Sequence, residues 1–204
     1  MSYEQSIAFS DEETVLAECG PMRLAIRAWQ NGRPQMDLCR QAAEISFTYL
    51  EAVAAHKTAL SEFAENIKIL PEDPLTRRMI ESVRAIGDMD LTPMAAVAGT
   101  IADAVADWIY GRGPAKVVVD NGGDIAIRLA TGQTATVGIR PQINCLDISH
   151  IAQLDDHSSS WGVTTSGLGG RSFTRGIASA VTVIAENASI ADAAATSIAN
   201  ACMI

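Results

Sequence analysis

Apolar and polar positions change their rhythm several times along the chain. Over residues 14–30, "TVLAECGPMRLAIRAWQ", the apolar residues alternate on both sides of Gly20-Pro21, which predicts two strands joined by a turn; Asn31-Gly32 marks the next turn. From Met36 to about Phe63 the spacing lengthens, with Leu38, Ala42, Ile45, Tyr49 and Val53 recurring every three or four residues, as on one face of a helix. "LPEDPL" breaks that helix, and the pattern predicts further helices over 75–86 and 93–109, the latter with Pro93 in its first turn. "GRGP" ends the third helix.

The second half reads mainly as strands. "AKVVVD" is a continuous apolar run, as in a central strand, and "GDIAIRLA" and "TATVGIRP" alternate around Thr131-Gly132 like the arms of a hairpin. Residues 141–160 are polar and predict no element. "WGVTTSG" and "SAVTVIA" predict two more strands, and a last helix starts near Ser189. Strands, long helices, several strands and one helix make an α+β order rather than a regular βαβ alternation. A chain of 204 residues suits one domain or two closely joined halves.

Composition narrows the function. Hydrophobic residues make up 48% but aromatic residues only 5%, so the core depends on close backbone approach rather than on large rings. The net charge of −9 argues against nucleic acid as a main partner, which would require a basic surface. No apolar run reaches the ~18 residues of a bilayer span, and "MSYEQSIAFSDEET" lacks the basic start and apolar core of a signal peptide. The expectation is a cytoplasmic protein without a membrane partner. Cys19, Cys39, Cys145 and Cys202 are scattered, which predicts free thiols, and with His56, His150 and His157 equally dispersed no zinc site is expected.

Three segments carry candidate chemistry. In "VVVDNGGDIAI", residues 117–127, a strand runs into Asn121, Gly122, Gly123 and Asp124, where adjacent glycines let a ligand approach or simply make a tight turn. In "GVTTSGLGGRSF", residues 162–173, Thr164, Thr165 and Ser166 lead into a glycine-rich loop followed by Arg171: a cradle for an oxyanion, or a plain hairpin loop. It lacks the Lys-Ser/Thr ending of a P-loop. In the Ala-rich segment 188–200, Asp192 and Thr196 stand four apart, side by side on a helix, and offer the hard oxygens that Mg²⁺ or Ca²⁺ prefers. The alternative is an acidic residue favouring the positive helix end and a threonine that packs.

Taken in order, these segments resemble the ApbE superfamily of flavin transferases, and within it an ApbE-related branch. The resemblance rests on Pro-Met-Ala-Ala-Val-Ala-Gly at 93–99, Asp-Asn-Gly-Gly-Asp at 120–124, Gly-Val-Thr-Thr-Ser at 162–166, Ala-Val-Thr-Val-Ile-Ala at 180–185 and Ala-Asp-Ala-Ala-Ala-Thr at 191–196. It implies a single α+β domain over 1–204 with duplicated, tunnelling-fold-like antiparallel sheets and packed helices, the halves covering about 1–112 and 113–204. It also implies that Asp192 and Thr196 hold Mg²⁺ against the pyrophosphate of a ligand, with Asn121, Gly122, Gly123, Asp124, Thr165, Ser166 and Arg171 around the same cleft. The transferases pass FMN from FAD to a protein hydroxyl. Their His-Ile-Ile-Asp-Pro-x-Thr-Gly segment is replaced here by "LGGRSFTRGIASA", residues 168–180, without His, Pro or Asp. The expectation is therefore a metal-dependent enzyme for a small phosphorylated, nucleotide-like ligand, without typical FAD or FMN chemistry. A binding protein that kept only the cleft, and an assembly protein whose helices serve packing alone, are the competing classes; a homodimer is left open.

Overall fold

The computed structural model describes residues 3–142, 147–168, 170 and 174–202. Ten strands and five α-helices are present among them: β1 (Gln5–Phe9), β2 (Val15–Cys19), β3 (Met22–Gln30), β4 (Arg33–Pro34), α1 (Met36–Ala55), α2 (Lys57–Leu60), α3 (Pro74–Ile86), α4 (Val97–Tyr110), β5 (Lys116–Asn121), β6 (Asp124–Leu129), β7 (Ala135–Ile139), β8 (His150–Leu154), β9 (Ser160–Ser166), β10 (Val181–Ala185) and α5 (Ala188–Ala201). The architecture is α+β. One antiparallel sheet runs β1-β2-β3-β5-β6-β9-β10, with β4 added beside β3.

Strand alternation divides the sheet into two faces. Val117 and Val119 of β5 and Ala126 of β6 join Ile26 of β3 and Ala102, Val105 and Ile109 of α4 in the main core. Ile127, Leu129 and Val163 point the other way, against Ala135, Val137 and Leu154. These last three belong to β7 and β8, which pair only with each other. The expected hairpin of β6 with β7 is thus corrected. Both edges of β6 are taken by β5 and β9, so β7 turns out of the sheet and, with β8, covers its outer face. β8 arises within the stretch for which the sequence predicted nothing.

Two helix limits also differ from expectation. The helix predicted to about Phe63 leaves helical geometry at His56, with φ −105° and ψ 10°. The segment expected as one helix over 93–109 begins with a 3-10 turn at Pro93–Ala96 before α4. α3 follows the local rules closely: Asp73 accepts a hydrogen bond from the Thr76 amide, Pro74 is its first residue, and Gly87 closes it at φ 76°. No helix among the described residues is long and apolar enough to cross a membrane. Cys19, Cys39 and Cys202 are free thiols; Cys145 lies outside the described residues.

Candidate functional site

The chemistry collects where α5 crosses the inner face of β9. Gly162 meets the backbone of Asn187 and Ala188 so closely that a Cβ there would overlap both. Further along, Ser166 Oγ and Thr196 Oγ1 share a hydrogen bond of 3.1 Å. From Gly162 to Ser166 the strand advances four residues, about 13 Å at ~3.3 Å each. From Ala188 to Thr196 the helix advances eight, about 12 Å at 1.5 Å each. The two advances match, so every second residue of β9 faces every fourth residue of α5. These two contacts bracket Thr164 on the strand and Asp192 on the helix.

This answers why a carboxylate and a hydroxyl stand four apart on an Ala-rich helix. Ala188, Asp192 and Thr196 form one row of the helix, whose ends meet Gly162 and Ser166 of β9. Asp124 is the register partner of Thr164 on β6 and shares its face. Asn121, at the end of β5, is buried on that face too; its Nδ2 donates to the Ala98 carbonyl at 3.1 Å, and its Oδ1 accepts from the Arg23 amide at 3.2 Å. Gly122 and Gly123 make the turn between Asn121 and Asp124, with φ of 70° and 110°, values that favour glycine. Asp120 Oδ1 accepts from the Gly123 amide at 2.7 Å and holds the turn closed.

Thr165 does not join this group. Its hydroxyl is 2.9 Å from that of Thr182 across β10, on the opposite face of the sheet from Ser166. The hydroxyl that takes the place expected for it is that of Thr164. In "TTS" the sequence offers no means of choosing between adjacent threonines until the strand phase is known. Arg171 lies outside the described residues.

Asp192 is 7% exposed, as is Thr196. Its Oδ2 accepts from the Gly99 amide of α4 at 2.9 Å. Burial pushes its pKa up to about 7, against the lowering effect of the Gly99 and Ala98 amides, and the Asp103 charge adds to the rise. Asp124 is pushed well above the ordinary carboxylate range, first by burial and then by the nearby Asp192 and Asp120 charges. Two carboxyls that each resist ionisation across one gap favour a positive ion between them.

The sign of this effect is measurable. A folded carboxyl raised from 3.8 to about 7 binds a proton that the unfolded chain has released. The resulting stability is complete below about pH 4 and is lost as pH rises through about 7. The metal-free protein is therefore expected to lose thermal stability across that window, and Asp192→Asn to reduce the loss, with Asp124 contributing the remainder. A wild-type melting temperature that is level or rising there contradicts the assignment.

A second polar group, unmarked by any sequence motif, fixes the position of α5. Asp103 of α4 is fully buried. It accepts from the Ala188 amide at 3.1 Å, the Ser189 amide at 2.8 Å, the Ser189 hydroxyl at 2.6 Å and Arg128 Nη2 at 2.9 Å. Arg128 Nε reaches Asp107 at 2.7 Å. Burial opposes the Arg128 charge, but Asp103 and Asp107 outweigh it and keep the guanidinium protonated. A cavity of about 340 Å³ lies beside Arg128, lined by Arg78, Tyr110 and Asn187, and another of about 580 Å³ lies by Glu12, Arg27 and Trp29. Neither is at the Asp192 seam. No three His, Cys, Asp or Glu side chains among the described residues are grouped to hold a metal, so a cation here would depend on hydroxyl and backbone oxygens as well.

The family model described as AbpE bacteria matches residues 7–204, thus including every element of this site. The chain belongs to that family. Among its relatives, a UPF0280 protein of Methanothermobacter thermautotrophicus is 39% identical over 65% of this chain and 50% of its own length. One of Methanococcus aeolicus is 36% identical over 66% of this chain and 54% of its own length. The UPF0280 protein of Methanopyrus kandleri is 31% identical over 87% of this chain and 69% of its own length. The chain thus spans about half the length of several of the curated relatives it matches.

Proposed function

We propose that this protein is a divalent-cation-dependent enzyme acting on a small phosphorylated, nucleotide-like molecule, with the seam between α5 and β6-β9 as its site. The observation that carries the reading is the convergence of Asp192, Thr196, Asp124 and Ser166 on one face through the matched advances of helix and strand. Asp192 and Thr196 would hold Mg²⁺, with Asn121, Gly122 and Gly123 beside it. A bound divalent cation would neutralise the charge of a phosphoanhydride. The resemblance of residues 91–200 to the flavin transferases supports the same placement.

Two side-chain ligands fall short of the ~6 that Mg²⁺ takes, so ligand phosphate and water complete the shell. Calorimetry is expected to show weak Mg²⁺ binding alone, and ADP binding that requires Mg²⁺ and weakens at least about tenfold in Asp192→Ala, or about 1.4 kcal/mol. ADP binding that is equal in EDTA and in Asp192→Ala contradicts the reading.

A non-catalytic binding protein is favoured by one observation, the replacement of the His-Ile-Ile-Asp-Pro segment by residues 168–180. Without that wall a flavin ring is poorly oriented, and orientation supplies much of phosphoryl-transfer catalysis. Incubation with FAD, Mg²⁺ and a Thr-containing acceptor peptide is expected to leave the peptide unmodified by mass spectrometry. Robust flavinylation that disappears in Asp192→Ala makes the protein a flavin transferase instead.

A further inference from the structure

We infer that Thr164 is a strand-side oxygen ligand of a divalent cation bound between Asp124 and Asp192. The inference rests on the cation site proposed above and adds to it a strand residue that the motif contains but does not single out. Thr164 is 0% exposed, and its Oγ1 has no hydrogen-bond partner. A buried hydroxyl without a partner forfeits its hydration, at a cost of about 1–3 kcal/mol, and such groups are rare in folded proteins.

Its surroundings indicate what it waits for. Thr164 sits in register opposite Asp124 on β6. Above it, the helix row Ala188, Asp192, Thr196 places Asp192 midway between the two points where α5 touches β9. The hydroxyl thus lies in register with one carboxyl, on the strand that α5 and its Asp192 cross, and has no hydrogen-bond partner. A cation in that gap would take a lone pair from Oγ1, leave its proton free to bond a carboxylate, and bring the negative charges of Asp124 and Asp192 together without repulsion. Hydroxyl and carboxylate oxygens are the donors a hard cation selects.

The neighbouring threonine supplies the control. Thr165 is on the same strand, but its hydroxyl is already paired with Thr182 on the opposite face. Mn²⁺ titration of the whole chain, alone and with ADP, followed by the loss of the free-ion electron paramagnetic resonance signal, tests the assignment. Thr164→Val keeps the shape and removes the oxygen, and is expected to weaken Mn²⁺ at least about fivefold, comparable to losing one ligand. Thr164→Ser is expected to restore binding to within about twofold, and Thr165→Val to leave it at the wild-type value, as fold-changes read against a scale of 1.4 kcal/mol per decade. Melting curves without metal confirm that each variant folds; should Thr164→Val fail to fold, the Ser and Thr165 variants, together with Thr164→Ala, carry the comparison. Wild-type affinity in a folded Thr164→Val or Thr164→Ala overturns the inference while leaving the Asp192 site standing. Absence of Mn²⁺ binding in the wild type, with or without ADP, removes both.

Discussion

Gly99→Ala is expected to lower the melting temperature by about 4–8 °C and to abolish the ligand binding proposed for the α5 seam. A Cβ at Gly99 would overlap the Ala188 carbonyl and stand 2.9 Å from Asp192 Cβ. The first obstacle is backbone, so it cannot rotate aside, and the start of α5 must move away from α4. Overpacking of this kind costs about 1–3 kcal/mol and sometimes more. The gain in helix propensity from Gly to Ala recovers at most about 1 kcal/mol. With an obstacle of backbone the cost falls at the upper end, so a net loss of about 2 kcal/mol is expected, and a chain of this length loses about 2–4 °C per kcal/mol. The separation would also break the bond from the Gly99 amide to Asp192, so the site fails along with the packing. Differential scanning calorimetry reads the effect; an unchanged melting temperature contradicts the closeness of the two helices.

Asp103→Ala is expected to destabilise the fold by about 3 kcal/mol, the lower end of the cost of breaking a buried ion pair, because Arg128 keeps the half-exposed Asp107 at 2.7 Å. Arg128, whose side chain is 5% exposed, would lose the partner at 2.9 Å that offsets its burial. The Ala188 and Ser189 amides at the start of α5 would lose their acceptor as well. Two substitutions separate these contributions. Arg128→Met removes the charge that needs a partner but leaves Asp103 buried and bonded to α5, so it should cost a similar amount. The double variant Asp103→Ala, Arg128→Met should cost less than the sum of the singles, because no unpaired charge remains. Denaturant titration measures all three; additive losses contradict a coupled pair.

Much of the architecture is legible in the sequence because its elements obey local rules. α3 carries its Asp73 cap, its Pro74 start and its Gly87 stop in sequence. β5 is apolar because helices cover one face and β7-β8 cover much of the other. β1 escapes detection because it is an edge strand: Gln5, Ser6, Ala8 and Phe9 are exposed and only Ile7 is half-buried, so no alternation is imposed on it. The true partner of β6 is not legible locally, because alternation does not reveal that β9, over thirty residues later, pairs with its free edge.

The site divides along the same line. Asp192 and Thr196 are legible because their spacing is a helical one. Thr164 is hidden beside Thr165 because strand phase is set by tertiary pairing, here by Gly162 against Asn187 and by Ser166 against Thr196. Asp103 and Arg128 are ordinary residues of an amphipathic helix and an alternating strand. Only their pairing across the core, 25 residues apart in the chain, gives them a role.

The central claim is a divalent cation held between α5 and β6-β9, and anomalous diffraction from crystals grown with Mn²⁺ and ADP tests it most directly. The account predicts a single strong manganese peak about 2.1 Å from a carboxylate oxygen of Asp192, the distance of a hard six-coordinate site. Oxygens of Thr196, Thr164 and the ADP phosphates should complete the shell. A manganese peak elsewhere, with Asp192 bonded only to the Gly99 amide and no density in the gap beneath it, contradicts the account.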